Sequence, residues 1–227
     1  MTANARLPLW FPSAPAPGIA SFATLFFIET LVRASIITVL PLEAYRILGN
    51  EQRVSFLYST IGFCGLLSSL LIPFLIAWFA RRWVYSLGAA AFVLIGFAVL
   101  TGTITGLTAG LVLRVFGTAC LMITMQLYIM DYIRREQFVR NDALRMTVST
   151  FGWTLGPPFG VFLHERVGAE VPFILSGLMA VVLIALFWFL RLSDNKVIRK
   201  ANSPPPNPIR AFGRFFSQPR LRLAWLI

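Results

Sequence analysis

The sequence predicts an all-α integral membrane protein of six transmembrane helices, with a seventh beginning where the chain ends. Three observations carry this. Of the 227 residues, 57% are hydrophobic and only 13% charged, where a soluble domain carries about 25% charged residues. Apolar stretches recur that are each long enough as a helix to cross about 30 Å of hydrocarbon. The basic residues fall in alternate connections between those stretches.

The first span is expected from Ile19 to Leu40, closed by Pro41. The second covers about Val54 to Phe79, the third Val84 to Leu100, and the fourth Leu107 to Met130. The fifth covers Met146 to Leu163 and the sixth Pro172 to Leu190. Residues 1–18 are read as a tail, 19–192 as the membrane domain, 193–217 as a linker and 218–227 as the start of a seventh helix. The tail lacks the basic start, apolar middle and small-residue cleavage site of a signal peptide. The stretch SDNKVIRKANSPPPNP is polar and proline-rich, as extended linkers are. IRAFGRFF then mixes basic and aromatic residues in a way that suits the headgroup layer. Ser217 and Pro219 give a helix start before LRLAWLI. A seven-residue helical segment does not cross a bilayer, so the chain reads as the N-terminal part of something longer.

Charge sets the orientation. Arg6, Arg81, Arg82, Arg134, Arg135, Arg140, Arg145 and the eight basic residues from Arg191 onward lie on one side, fifteen in all. Arg46, Arg53 and Arg166 lie on the other. This bias places the N-terminus in the cytoplasm, in a plasma membrane of bacterial inner-membrane type. A net charge of +11 would suit nucleic acid, but its distribution between apolar spans argues for a membrane surface, and no nucleic-acid partner is expected. Cys64 and Cys120 lie within apolar spans, and the single histidine, His164, lies near a membrane edge. Neither pattern is that of a disulfide framework or a zinc site. No nucleophile–base set, phosphate loop or metal spacing appears, so neither an enzyme nor a cofactor is expected.

The fifth span contains GWTLGPPFG. Gly152, Gly156 and Gly160 recur every four residues along one helical stripe, which lets a neighbouring helix approach closely. Pro157 and Pro158 remove backbone donors beside that contact and bend the helix.

These residues resemble the antiporter motif in the fifth helix of the major facilitator superfamily, with Gly152, Gly156, Pro157 and Gly160 matching and Val161 replacing the last glycine. The turn PFLIAWFARRW stands where that family carries its glycine-x3-aspartate-arginine-x-glycine-arginine-arginine signature. Arg81 and Arg82 match, whereas Pro73, Ala77, Trp78 and Ala80 depart from it. Arg114 stands where the fourth helix often has a membrane arginine, with Gly117 one position nearer than usual. The resemblance implies one half of a major facilitator fold, built from two inverted three-helix repeats. It also implies a secondary transporter performing antiport or proton-coupled export of an unknown small molecule, with membrane lipid and a C-terminal half as partners. The competing expectation is a non-transporting subunit packed with partner membrane subunits in a larger assembly, respiratory or photosynthetic for instance. In the family the turn signature helps to latch the cytoplasmic face, and here Asp131 is the candidate partner for Arg81 or Arg82.

Glu29, Arg33 and Arg114 lie within spans, where a charge costs several kcal/mol unless paired or wetted. Glu29 and Arg33 share one helix face. Counted from Leu40 and Leu107, Arg33 and Arg114 each lie seven residues in, about 10 Å below the outer boundary. Two readings stand side by side: arginines that hold an anionic substrate group, or Glu29 as coupling-proton carrier, against a structural charge cluster.

Overall fold

A computed structural model describes residues 19–132 and 135–190, with side chains from 20 to 131 and from 142 to 190. The tail, the linker and the expected seventh helix lie outside the described residues. Among the described residues seven helices follow in order: α1 (Ile19–Ile37), α2 (Val39–Leu48), α3 (Glu51–Trp78), α4 (Arg81–Leu100), α5 (Ile104–Tyr132), α6 (Arg135–Arg166) and α7 (Val171–Phe189). The first span is α1 with α2, and each later span is one helix.

Two boundaries differ from expectation for physical reasons. Pro41 does not close the first span, because α1 breaks at Thr38 and Pro41 falls in the first turn of α2. Proline's missing N–H is tolerated there. The span therefore runs to Leu48 and ends at Gly49, whose φ of +61° is a left-handed cap. Asn50 then caps α3, its side-chain oxygen accepting from Gln52 N (2.8 Å) and Arg53 N (3.3 Å). The second difference is the connection between the fourth and fifth spans. Sequence reading gives a charged loop from Asp131 to Arg145, whereas α6 begins at Arg135 and runs unbroken through Pro157 and Pro158. Five stretches among the described residues are long and apolar enough to cross a membrane, and α6 is not among them. Its polar first turns, and the Thr, Trp, Gly and Pro of its second half, dilute it.

The packing has a hidden symmetry. The principal contacts are α1 with α6 and α7, α5 with α3 and α4, and α4 with α7. Exchanging α1 with α5, α3 with α6, and α4 with α7 maps this set onto itself. Because successive spans cross in opposite directions, the exchanged helices are antiparallel. This is the inverted pair of three-helix repeats.

Small residues set the helix approaches. A Cβ on Gly152 would lie 2.7 Å from Thr30 Cγ2, and one on Gly156 would lie 2.5 Å from Ala34 Cβ. One on Gly160 would overlap the Ser35 carbonyl oxygen. The glycine stripe is thus the surface on which α1 lies. At its end Thr38 Oγ1 donates to the Pro157 carbonyl at 3.4 Å. Its symmetry mate, α5 on α3, is approached at Gly65, where a Cβ would overlap Val115 Cγ1, while α4 and α5 close on each other at Gly88 and Gly117, where a Cβ on Gly117 would sit 2.8 Å from the Gly88 carbonyl. The core between these layers holds Phe22, Leu25, Phe92, Ile95, Leu111 and Phe173, all buried, and Ser176 on α7 donates to the Val32 carbonyl at 2.8 Å.

Candidate functional site

Four helices meet at a cluster of polar side chains in the half of the bundle nearest the basic connections. Glu29 is ten residues into α1 and Arg145 ten residues into α6, each about 15 Å along its helix from the basic face. Glu29 is fully buried and Arg33 is 8% exposed. Arg33 Nη2 lies 3.2 Å from Glu29 Oε1, and Arg33 Nε donates to the Glu29 carbonyl at 3.4 Å. Both carboxylate oxygens of Glu29 are nevertheless without a hydrogen bond among the described residues. A buried polar atom in that state is uncommon, because leaving it unpaired costs about 1–3 kcal/mol or more.

Arg145 is the second cation of the cluster, close enough to act on Glu29 electrostatically. Its Nη1 donates to Gln126 Oε1 on α5 at 2.6 Å, its Nη2 lies 2.9 Å from Asp142 Oδ1, and its guanidinium sits 5.1 Å from the Phe26 ring centre. Phe26, Met122, Met125, Gln126 and Arg145 line an open hollow of about 380 Å³. Tyr85 on α4 is buried, stacked on Phe187 at 4.3 Å, its hydroxyl without a hydrogen bond among the described residues and in the electrostatic reach of Glu29, Arg33 and Tyr128. Glu29 thus stands with Arg33 and Arg145, with the Gln126 amide held on Arg145 and the Tyr85 phenol within electrostatic reach. With Asp142 on Arg145 the charges of the cluster balance, so an incoming anion would bind by replacing a carboxylate on one of the two guanidinium groups.

Arg114 is placed elsewhere. It lies ten residues into α5 from the opposite face, partly buried, and its electrostatic neighbour is Tyr58 on α3. No hydrogen bond or ion pair joins it to Glu29 or Arg33 among the described residues. The expected level pair of arginines rested on a first span ending at Leu40. With the helix continuing to Leu48, Arg33 sits deeper, and α5 is turned so that Arg114 faces α3.

On the basic face, Arg81 Nη1 pairs with Asp131 Oδ2, tying the start of α4 to the end of α5. Arg82 makes no ion pair among the described residues. On the opposite face His164 Nε2 lies 3.5 Å from Glu43 Oε1, and Arg46 Nη2 lies 2.8 Å from Glu43 Oε2. Glu43, only 3% exposed, thereby links α2 to the end of α6.

Sequence reasoning missed Arg145, Gln126, Tyr85, Tyr128 and the Glu43–His164 contact. Arg145 was counted with the loop charges. Gln126 carried a usable signal, as an uncharged polar residue well inside an apolar span.

The sequence model of the Major Facilitator Superfamily matches residues 22–227. No curated protein and no solved structure matches the chain.

Proposed function

We propose that this chain, which belongs to the Major Facilitator Superfamily, forms the N-terminal six-helix half of a secondary active transporter that moves a small organic anion by antiport or proton-coupled export. The observation that carries this reading is the fully buried Glu29 carboxylate, ion-paired to Arg33 but without a hydrogen bond on either oxygen among the described residues, in electrostatic reach of Arg145, which lines an open hollow. A purely structural ion pair would have its lone pairs satisfied, since a buried charge is otherwise expensive. In this reading Arg145 and Gln126 bind the substrate's anionic group, and Arg33 neutralises Glu29 whenever the substrate is absent. Glu29 carries the coupling proton. A bound anion competes with Glu29 for Arg33 and Arg145, so substrate and carboxylate charge exclude one another, which is the thermodynamic requirement of coupling.

The basic face is the cytoplasmic one by the loop-charge rule. The hollow then opens toward the cytoplasm, and the Arg81–Asp131 pair latches α4 to α5 beside it. Alternating access would follow from rocking this half against a second one.

The test is transport by the full-length protein in sealed vesicles holding a pH-sensitive dye, challenged with a panel of small carboxylates, phosphates and sulfonates. At least one solute should dissipate an imposed pH gradient. Glu29→Gln should abolish proton movement while solute exchange persists, and Arg145→Gln should abolish both. Wild-type rates in both variants, or no solute-dependent movement across the panel, would refute the reading.

A further inference from the structure

A second built feature lies on an exposed apolar surface at the basic end, away from the central cluster. Leu75 and Phe79 of α3 and Trp83, Val84, Leu87 and Ala90 of α4 line a groove of about 510 Å³. Trp83, Phe79 and Leu87 are exposed. From Val84 to Ala90 the groove follows α4 for six residues, about 9 Å inward from the helix start.

Next to Trp83 of this groove stands Arg82. Its guanidinium carbon lies 5.9 Å from the Trp83 ring centre and 6.0 Å from that of Trp188 on α7. The two indoles meet edge to face at 5.5 Å, and Trp188 Nε1 donates to Ser86 Oγ at 3.0 Å, which fixes the second ring. Arg82 Nε is buried without a partner, and no side-chain hydrogen bond or carboxylate engages this arginine among the described residues. The neighbouring Arg81 is already taken by Asp131. A cation beside a pair of indole rings, with a buried donor unspent, next to an apolar furrow, matches one chemistry: a phosphate carrying acyl chains. Indoles prefer this interfacial depth, and guanidinium is the favoured partner of phosphate.

We infer that the groove between α3 and α4 is a binding site for an anionic glycerophospholipid of the leaflet on the basic face, its phosphate on Arg82 and one acyl chain along Val84–Ala90. A free phosphate would use only the arginine and leave the furrow without purpose. A zwitterionic lipid would bring its own cation toward Arg82, so the anionic headgroup is preferred. The site is independent of whether Glu29 couples transport.

The test uses the indoles as reporters. The full chain, with Trp10, Trp78, Trp153 and Trp225 replaced by Phe, retains Trp83 and Trp188 and is placed in phosphatidylcholine nanodiscs. Phosphatidylglycerol with brominated chains, at low mole fraction, should quench their fluorescence several-fold more than brominated phosphatidylcholine at the same fraction. Arg82→Gln should reduce the phosphatidylglycerol signal to the phosphatidylcholine level, while Arg82→Lys and Arg81→Gln should keep most of the preference. Ala90→Phe, which fills the furrow without changing charge, should weaken quenching by phosphatidylglycerol. Equal quenching by the two lipids, a preference that survives Arg82→Gln, or displacement of the lipid by millimolar inorganic phosphate would each overturn the proposal.

Discussion

The contact between Gly156 and Ala34 allows the helix-stripe argument to be tested by compensation. Substituting Gly156→Ala places a methyl 2.5 Å from Ala34 Cβ, about 1 Å inside an ordinary carbon–carbon contact of roughly 3.5 Å. The helices must part or repack, which costs about 1–3 kcal/mol. Ala34→Gly alone loses a buried methyl and helix propensity, about 1–2 kcal/mol together. In the double variant the new methyl instead faces the Ala34 backbone, whose carbonyl carbon and Cα lie at 3.2 and 3.4 Å, tight but tolerable. The two changes should therefore fall short of additivity by about 1–2 kcal/mol, where independent sites add within about 0.5 kcal/mol. Reversible unfolding in mixed micelles, followed by far-ultraviolet circular dichroism, measures all four corners of the cycle. Additive effects would show that the stripe does not set the α1–α6 distance.

Three further outcomes follow from single contacts. Ser176→Ala removes the buried bond to the Val32 carbonyl and should cost about 0.5–1.5 kcal/mol in the same unfolding assay, in line with polar contacts between membrane helices. Arg81→Gln breaks a partly exposed pair with Asp131 and should change unfolding by no more than about 1 kcal/mol, less at high salt; a larger loss would make the pair structural. Arg114→Gln should leave solute exchange and its proton coupling intact in the vesicle assay, because Arg114 faces Tyr58 rather than the Glu29 cluster. Loss of exchange would return Arg114 to the centre.

The spans were legible because hydrocarbon demands long apolar stretches, and no alternative architecture satisfies their backbone. The pairing of Glu29 with Arg33 was legible too, since one helical turn fixes it. Ends were harder. Pro41 reads as a stop in isolation, yet it is harmless once Thr38 has broken the helix. The charges from Asp131 to Arg145 read as loop, but a helix that projects beyond the hydrocarbon carries such charges on its first turns. Arg145 was hidden by that misreading. Arg114 was misdirected for a different reason: the rotation of α5 is set by the mutual approach of Gly88 and Gly117, a contact between helices that no spacing within one helix reveals. The inverted symmetry of the contacts likewise belongs to pairs of helices and not to any single segment.

The most direct test of the central site is water access to Gln126. In the full chain with Cys64→Ser and Cys120→Ala, a Gln126→Cys thiol should react with a membrane-impermeant methanethiosulfonate applied from the basic face. It should do so far faster than an Ala180→Cys thiol in the fully buried core, and Arg145→Trp should slow it by filling the hollow. If Gln126→Cys stays as unreactive as Ala180→Cys while a loop thiol labels readily, no polar hollow opens between α1, α5 and α6, and Glu29 is part of a sealed structural pair.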